Sequence, residues 1–500
     1  MNRSRAGLLL LCLALVTLSL RLIPLIGLQA DEVLFAAPLF NRLFAYHRVF
    51  HDHLPTMVMS YVGALKTWLW APIFWLAPPS VWSIRLPAVL LAALTLWLCF
   101  EILAKAGWPR LGLFTVALLA ADPLYLLTAT FDWGPVVLQR LCFVLTASGI
   151  LLWVRGHGPR YLYAAALAAG LGVWDKALFG FMLLACGLSA LAVWGRLILR
   201  RFHLRQALIA AAFFFLGCLP LLHFNWHRSW ETLAARKGFE PVRPKLQRLA
   251  SDFNGAAFFG YLVREDAPGE RSGPIHTWFP PFLLVSAGSL PLLRDSTLRR
   301  TAVFCLLAIA LWLTLVLPQK DLGGSAHHTA LLLPLPHLLV AAFLTQLSVA
   351  GRSGFFAATA LCLTLFTSQA AVIEHVRRNA ARYGPGPYWT DAIFPLAHTV
   401  QQLNPPLLRA LDWGIAEQLV TLTRGRIPVF YDFDLNNAKQ HRETVYAAHI
   451  GEFIVNRDIL TRMEAELAQA QLRKQTLAVI HDRNGRAVYE LFRVQPAPAP

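Results

Sequence analysis

"LLLLCLALVTLSLRLIPLIGLQADE", residues 8–32, is an apolar run that ends on two adjacent carboxylates, Asp31 and Glu32. A run of about 18 or more apolar residues reads as a transmembrane helix. Arg3 and Arg5 give it a basic start. That start resembles a signal peptide, but the run continues to Ile26 and no small-x-small cleavage site follows. It is therefore read as a retained first span with its basic end in the cytoplasm.

The same pattern recurs along the chain. Of the 500 residues, 56% are hydrophobic and only 15% are charged. The mean hydropathy is +0.50. The expected class is a polytopic α-helical membrane protein with about eleven transmembrane helices. The expected spans are 6–27, 83–104, 111–128, 135–154, 161–175, 177–196, 206–224, 277–293, 301–317, 327–349 and 354–373.

With the N-terminus inside, every second connection should be cytoplasmic and basic. These connections hold Lys105 and Arg110; Arg155 and Arg160; Arg196, Arg200, Arg201 and Arg205; Arg294, Arg299 and Arg300; and Arg352. They account for much of the net charge of +17. Phosphate-bearing lipids are a second use for it, and no nucleic-acid partner is expected. The seven cysteines lie in apolar runs without CxxC or Cys/His spacing, so they read as packing residues rather than disulfides or zinc ligands.

The long segments fall on the other side: residues 28–82, residues 225–276 and the tail. The division expected is a membrane module over 1–375 and a small C-terminal α/β domain over 376–500, outside the membrane. "MVMSYVGALKTWLWAPIFWLAPP", interrupted by Lys66, reads as an interfacial helix rather than a further span. In the tail, "DILTRMEAELAQAQLRKQ" reads as an amphipathic helix. "LAVIHDRNGRAVYELFRV" reads as a hairpin turning at Asn484-Gly485, and "PAPAP" as a disordered end. No internal repeat is visible.

Ionisable groups at the edge of a bilayer are costly and need a reason. On this topology several gather at the non-cytoplasmic face: Asp31, Glu32, Asp122, Asp132, Asp175, Lys176, Lys320, Asp321, His327 and His328. Each also has a plainer reading. Asp31 and Asp132 suit helix starts, and Asp175 and Lys176 can neutralise each other in a turn. The His pair can serve as a polar anchor, and Arg21 can snorkel outward or pair with an acid. Asp412, in "ALDWGIAEQL", reads as a helix-start or surface residue.

Taken together, carboxylates that can accept protons and cations that can hold an anion meet at head-group depth. Sugar transfer from a polyprenyl phosphate uses such a set. A carboxylate takes the acceptor's proton as its hydroxyl attacks the anomeric carbon. A cation stabilises the departing phosphate, which needs no general acid.

Several stretches, in order, resemble the GT-C superfamily of membrane glycosyltransferases. The nearest branch is the family 39-like one of protein O-mannosyltransferases and the lipid A aminoarabinose transferase. The matching pieces are Arg21 followed by Asp31-Glu32, "HDHLPTMVMSYVGAL", "SIRLPAVLLAAL", "TFDWGPVVLQRLCFVLTASGILLW", "AAGLGVWDKALFGFMLL" and "SAHHTALLLPLPHLLVA". The resemblance implies a GT-C fold and a bacterial inner-membrane enzyme with a periplasmic site and C-terminal domain. It implies a polyprenyl-phosphate sugar as donor and a lipid, glycan or protein hydroxyl as acceptor.

Carried over by position, Asp31 is the general base, Glu32 supports it and Asp132 is the second functional acid. Lys176, Arg85 and Arg21 hold the donor phosphate. Asp122, Asp175, His53, His327 and His328 are further substrate-binding candidates. No cofactor is required; a divalent metal held by Asp31, Glu32 and His327 is the alternative. The sequence departs from aminoarabinose transferases at His51, His53 and Pro55, where those enzymes have Lys-Pro-Pro. The identity of the sugar therefore stays open. The rival classes are a transporter or flippase, which should carry midplane polar groups and repeat symmetry, and an envelope polysaccharide ligase.

Overall fold

The computed structural model describes residues 3–234, 238–265 and 276–497. The first helix, Arg3–Leu20, buries Leu8 and Leu15 on one face while Leu10 and Leu13 stay exposed. This is the one-sided burial of a helix packed on a bundle with its other side toward lipid. It gives way to a short 3-10 turn, Ile23–Leu25, at Pro24, which has no N–H to continue the ladder. Gly27 then passes so close to another segment that an added Cβ would lie 1.9 Å from the Thr390 carbonyl oxygen.

Among the described residues, seven helices are long and apolar enough to cross a membrane: Ser4–Leu25, Val81–Lys105, Val136–Val154, Phe179–Arg201, Leu204–His227, Ser296–Val316 and Arg352–Arg382. Two bent pairs bring the number to nine if each is one span. Pro109–Ala120 meets Pro123–Thr130 at 62°, and Ala326–Leu332 meets Leu335–Ser348 at 44°. The other two segments expected to span are shorter helices, Pro159–Asp175 with 17 residues and Phe279–Gly288 with 10. All eleven apolar segments are thus helical, but the count by length and apolarity is seven to nine. The protein is a multi-pass membrane protein with an α-helical bundle.

The interfacial segment is only partly helical. Met57–Gly63 forms strands, and a 12-residue helix follows at Leu65–Leu76. The strands β1 (His47–Val49), β2 (Leu54–Met59) and β3 (Val62–Gly63) make a small antiparallel sheet.

The C-terminal region forms a five-stranded sheet. Its strands are β4 (Leu408–Ala410), β5 (Val429–Tyr431), β6 (Val445–His449), β7 (Leu472–His481) and β8 (Ala487–Pro496). Their order is β5-β4-β6-β8-β7; β4 pairs in parallel with β5 and β6, and β8 is antiparallel to β6 and β7. The expected hairpin is β7–β8, with Gly485 at φ +79° in its turn. The expected amphipathic helix is shorter than read: Arg457–Gln469 is helical and β7 takes over at Leu472. Of the expected disordered end, Pro496 closes β8 and Ala497 donates its N–H to the Gln471 carbonyl at 2.8 Å, while residues 498–500 lie outside the described residues.

One apolar core runs from Leu8 and Ala88 in the bundle to Leu408, Ala410 and Val445 in this sheet. The sheet is therefore packed on one end of the bundle. Gln418 fixes the junction by donating its side-chain N–H to the Leu28 carbonyl at 2.7 Å.

Candidate active site

A cavity of about 490 Å³ opens at the end of the bundle that carries the C-terminal sheet. Asp31, Tyr61, Lys176, His327, His328 and Trp413 line it. These residues come from five separate stretches, so only the folded chain assembles them.

Asp31 sits in the one-turn helix Ala30–Val33, capped by Gln29, whose side-chain oxygen accepts from the Glu32 N–H at 3.2 Å. The Asp31 carboxylate is partly exposed to the cavity and takes one long hydrogen bond, 3.5 Å, from Gln29 Nε2. Burial pushes its carboxyl above the usual carboxylate range, while Gln29 and the Lys176 charge pull the other way.

Lys176 follows the helix Pro159–Asp175 in extended conformation. Its backbone bridges to Val62, and the next N–H, that of Ala177, donates to the Tyr61 carbonyl at 3.0 Å. The ammonium reaches the cavity past Gly134, where an added Cβ would lie 3.3 Å from both Lys176 Nζ and His327 Cδ2. Gly134 also sits at φ +67°, so glycine there meets a steric and a conformational need.

His327 and His328 lie on the one-turn helix Ala326–Thr329, and His327 Nδ1 is 2.8 Å from Ser325 Oγ. Thr329 donates to the buried Asp252 at 2.6 Å, which ties that turn to the helix Val242–Asn254. Burial pushes Asp252 up to about 6, with Arg248 and Thr329 opposing.

Other expected site residues are spent on holding the frame. Glu32 is fully buried in a two-point pair with Arg85, at 2.6 and 2.8 Å. The same guanidinium donates to the carbonyls of Ile23, Ile26 and Gly27. Arg85 therefore braces the turn that carries Asp31 and does not line the cavity. Asp132 accepts from the N–H groups of Val136 and Val137 at 3.0 Å each, capping a span, and pairs with buried Lys66 at 2.6 Å. Asp122 caps the helix Pro123–Thr130 and meets Gln369 at 3.0 Å and His337 at 3.2 Å. Asp175 is buried behind Lys176 and accepts from Gln139 at 2.9 Å. Arg21 points outward to Glu374 at 3.6 Å. His53 is exposed beside Arg42.

Among the described residues, no group of three His, Cys, Asp or Glu side chains is placed to hold a metal ion. Glu32 faces Arg85, so the trio of Asp31, Glu32 and His327 is not assembled.

Removing one partner from a buried ion pair costs about 3–5 kcal/mol, because a buried charge is left uncompensated. Glu32→Ala is therefore expected to lower the melting temperature of the detergent-solubilised protein strongly. A melting temperature unchanged from wild type would mean that the Arg85 pair does not brace the turn.

Lys66 was read only as an interruption of an apolar segment, yet it is the partner of Asp132. A charge within an apolar helix needs a partner, and that was the available signal. Trp413 had a signal too. Its "DWG" at 412–414 repeats the "DWG" at 132–134. In both, the Asp carboxylate accepts following backbone N–H groups and the Gly has positive φ, +67° and +84°.

Residues 62–224 match the family model for dolichyl-phosphate-mannose-protein mannosyltransferase. No curated protein matches the chain. In fold, the chain is similar to ArnT from Cupriavidus metallidurans bound to undecaprenyl phosphate, with TM-score 0.57, 14% identity and 98% of each chain covered. Against the apo state of ArnT the TM-score is 0.58, again at 14% identity, over 97% of this chain and 98% of that one. An oligosaccharyltransferase from Archaeoglobus fulgidus aligns at TM-score 0.49 and 12% identity, over 87% of this chain and 66% of that one. A bundle with its cavity beneath a C-terminal sheet, matched end to end at 14% identity, gives this chain the fold of ArnT.

Proposed function

We propose that the protein transfers a sugar from a polyprenyl-phosphate donor to an acceptor hydroxyl in this cavity. The observation that carries the reading is the meeting of Asp31 and Lys176 on one cavity, at the bundle end where the first span stops. The fold likeness to ArnT, a protein solved with undecaprenyl phosphate, supports a lipid carrier of the same class. The segregation of basic connections to the opposite end supports a bacterial inner-membrane setting, with the cavity and the C-terminal domain (376–500) on the periplasmic side of the membrane module (1–375).

The step balances without a cofactor. The acceptor oxygen bonds to the anomeric carbon as the bond from that carbon to the phosphate oxygen breaks. The hydroxyl proton passes to Asp31. The phosphate leaves as an anion, and Lys176 stabilises its growing charge, with His327 beside it. Arg85 and Glu32 hold the turn that carries Asp31, and Lys66 and Asp132 hold the Gly134 turn that the Lys176 side chain passes.

The test is transfer in inner-membrane vesicles, with a panel of polyprenyl-phosphate sugars and lipid, glycan and protein acceptors. Transfer from one donor is expected; lipid-linked sugar crossing the bilayer unchanged would favour a flippase instead. Asp31 works only when ionised, and its pKa is raised. Activity should therefore fall as pH drops, with its acid limb above the ordinary carboxylate range of about 4. A limb at or below that range would contradict Asp31 as base.

A further inference from the structure

We infer that Trp413 is the stacking face for a substrate sugar ring, delivered to the cavity by the C-terminal sheet. The inference rests on the transferase reading above. Trp413 follows β4, a strand flanked on both sides by parallel partners. Ligands in such sheets gather beyond the carboxyl ends of the strands, and Trp413 lies just past the carboxyl end of β4.

The loop beneath it is fixed. The Asp412 carboxylate accepts from four donors: the N–H groups of Trp413, Val455 and Asn456 at 2.7, 2.9 and 2.8 Å, and His449 Nδ1 at 2.9 Å. A carboxylate so fully used has no part in chemistry, but it holds the next residue in place. Gly414 then turns at φ +84°, with its added Cβ position 3.9 Å from Ala30 Cβ. Gln418 reaches the Leu28 carbonyl from the following helix. The loop of Trp413 is thus docked on the turn that carries Asp31.

Trp413 is also the end of a chain of aromatic rings. It meets Tyr388 at 6.1 Å; Tyr388 meets Tyr261 at 5.8 Å; Tyr261 meets Trp133 at 5.8 Å; and Trp133 meets His327 at 6.5 Å. Trp133 and Trp389, whose rings meet at 5.4 Å, are fully buried, whereas Trp413 is only partly buried and faces the cavity. One side of the Trp413 indole packs on Tyr388, and the rest lies on a cavity that also holds Asp31, Lys176 and His327. A pyranose presents an apolar face of C–H groups with slight positive charge, which suits the negative face of an indole. The ring is either the donor sugar or a sugar of a glycan acceptor, since both meet at Asp31.

The test uses the full chain in nanodiscs. Binding of bare undecaprenyl phosphate is compared with binding of undecaprenyl phosphate carrying mannose or aminoarabinose. The acceptor KM is measured beside it, for wild type, Trp413→Ala and Trp413→Phe. If Trp413 stacks the donor sugar, Trp413→Ala leaves bare-carrier affinity unchanged and weakens the glycosylated carrier by about tenfold. If it stacks an acceptor sugar, carrier binding is unchanged and the acceptor KM rises by about as much. Trp413→Phe should recover most of the loss in either case. Its recovery, with a wild-type melting temperature, separates stacking from a folding defect. Unchanged donor binding and acceptor KM in Trp413→Ala, while Asp31→Asn is inactive, would overturn this inference and leave the transferase reading standing. Failure of the wild type to bind either carrier would overturn both.

Discussion

Transfer by Asp31→Asn is expected to fall by a factor of about 10²–10⁴, the range a positioned general base contributes. The fold should survive the change. Asp31 is partly exposed and its hydrogen bond from Gln29 is long, 3.5 Å, so an amide of the same shape fits its place. The contrast is Asp132→Asn, which leaves buried Lys66 without its countercharge and weakens a helix cap. That variant should lose activity through lost stability, with a lowered melting temperature. Purified protein, melting curves and initial rates separate the two cases. Full transfer by Asp31→Asn would remove it from the mechanism.

The second large effect is at Lys176. Lys176→Gln should lower kcat by about 10²–10³, the cost of removing one preorganised group from a developing charge. It should also weaken binding of bare polyprenyl phosphate, which Asp31→Asn should not do. Lys176→Arg should rescue little. A planar, forked guanidinium does not place its charge where the compact ammonium lies beside Gly134. Rates and carrier affinity for the three proteins check this. Wild-type carrier affinity in Lys176→Gln would move the phosphate elsewhere in the cavity.

The membrane class was legible because apolar run length is a local property, and every run read as a span became a helix. The span count was less legible. Bends at Pro123 and Pro334 and the short helix Phe279–Gly288 depend on packing that run length does not record. The site was legible in its charges but not in their partners. Glu32 and Arg85 are 53 residues apart, and Lys66 and Asp132 are 66 apart. A sequence shows that a buried charge must be answered, not which residue answers it. Asp31, Lys176, His327 and His328 stay on the cavity because their backbones sit in turns at its rim. Arg85, Asp132 and Asp122 look alike in sequence, yet they face inward and are used up by caps and pairs. Trp413 carried a signal in its repeated "DWG", but its place beside Asp31 was not legible, because only the packing of the C-terminal sheet on the bundle brings the two together.

The most direct measurement is a count of sugar in proteoliposomes. Purified protein is reconstituted with undecaprenyl phosphate carrying a radiolabelled sugar, together with the acceptor the vesicle panel identifies. The account predicts that each label gained by the acceptor leaves one bare undecaprenyl phosphate, and that Asp31→Asn stops both together. Label that stays on its carrier and only changes leaflet would contradict it.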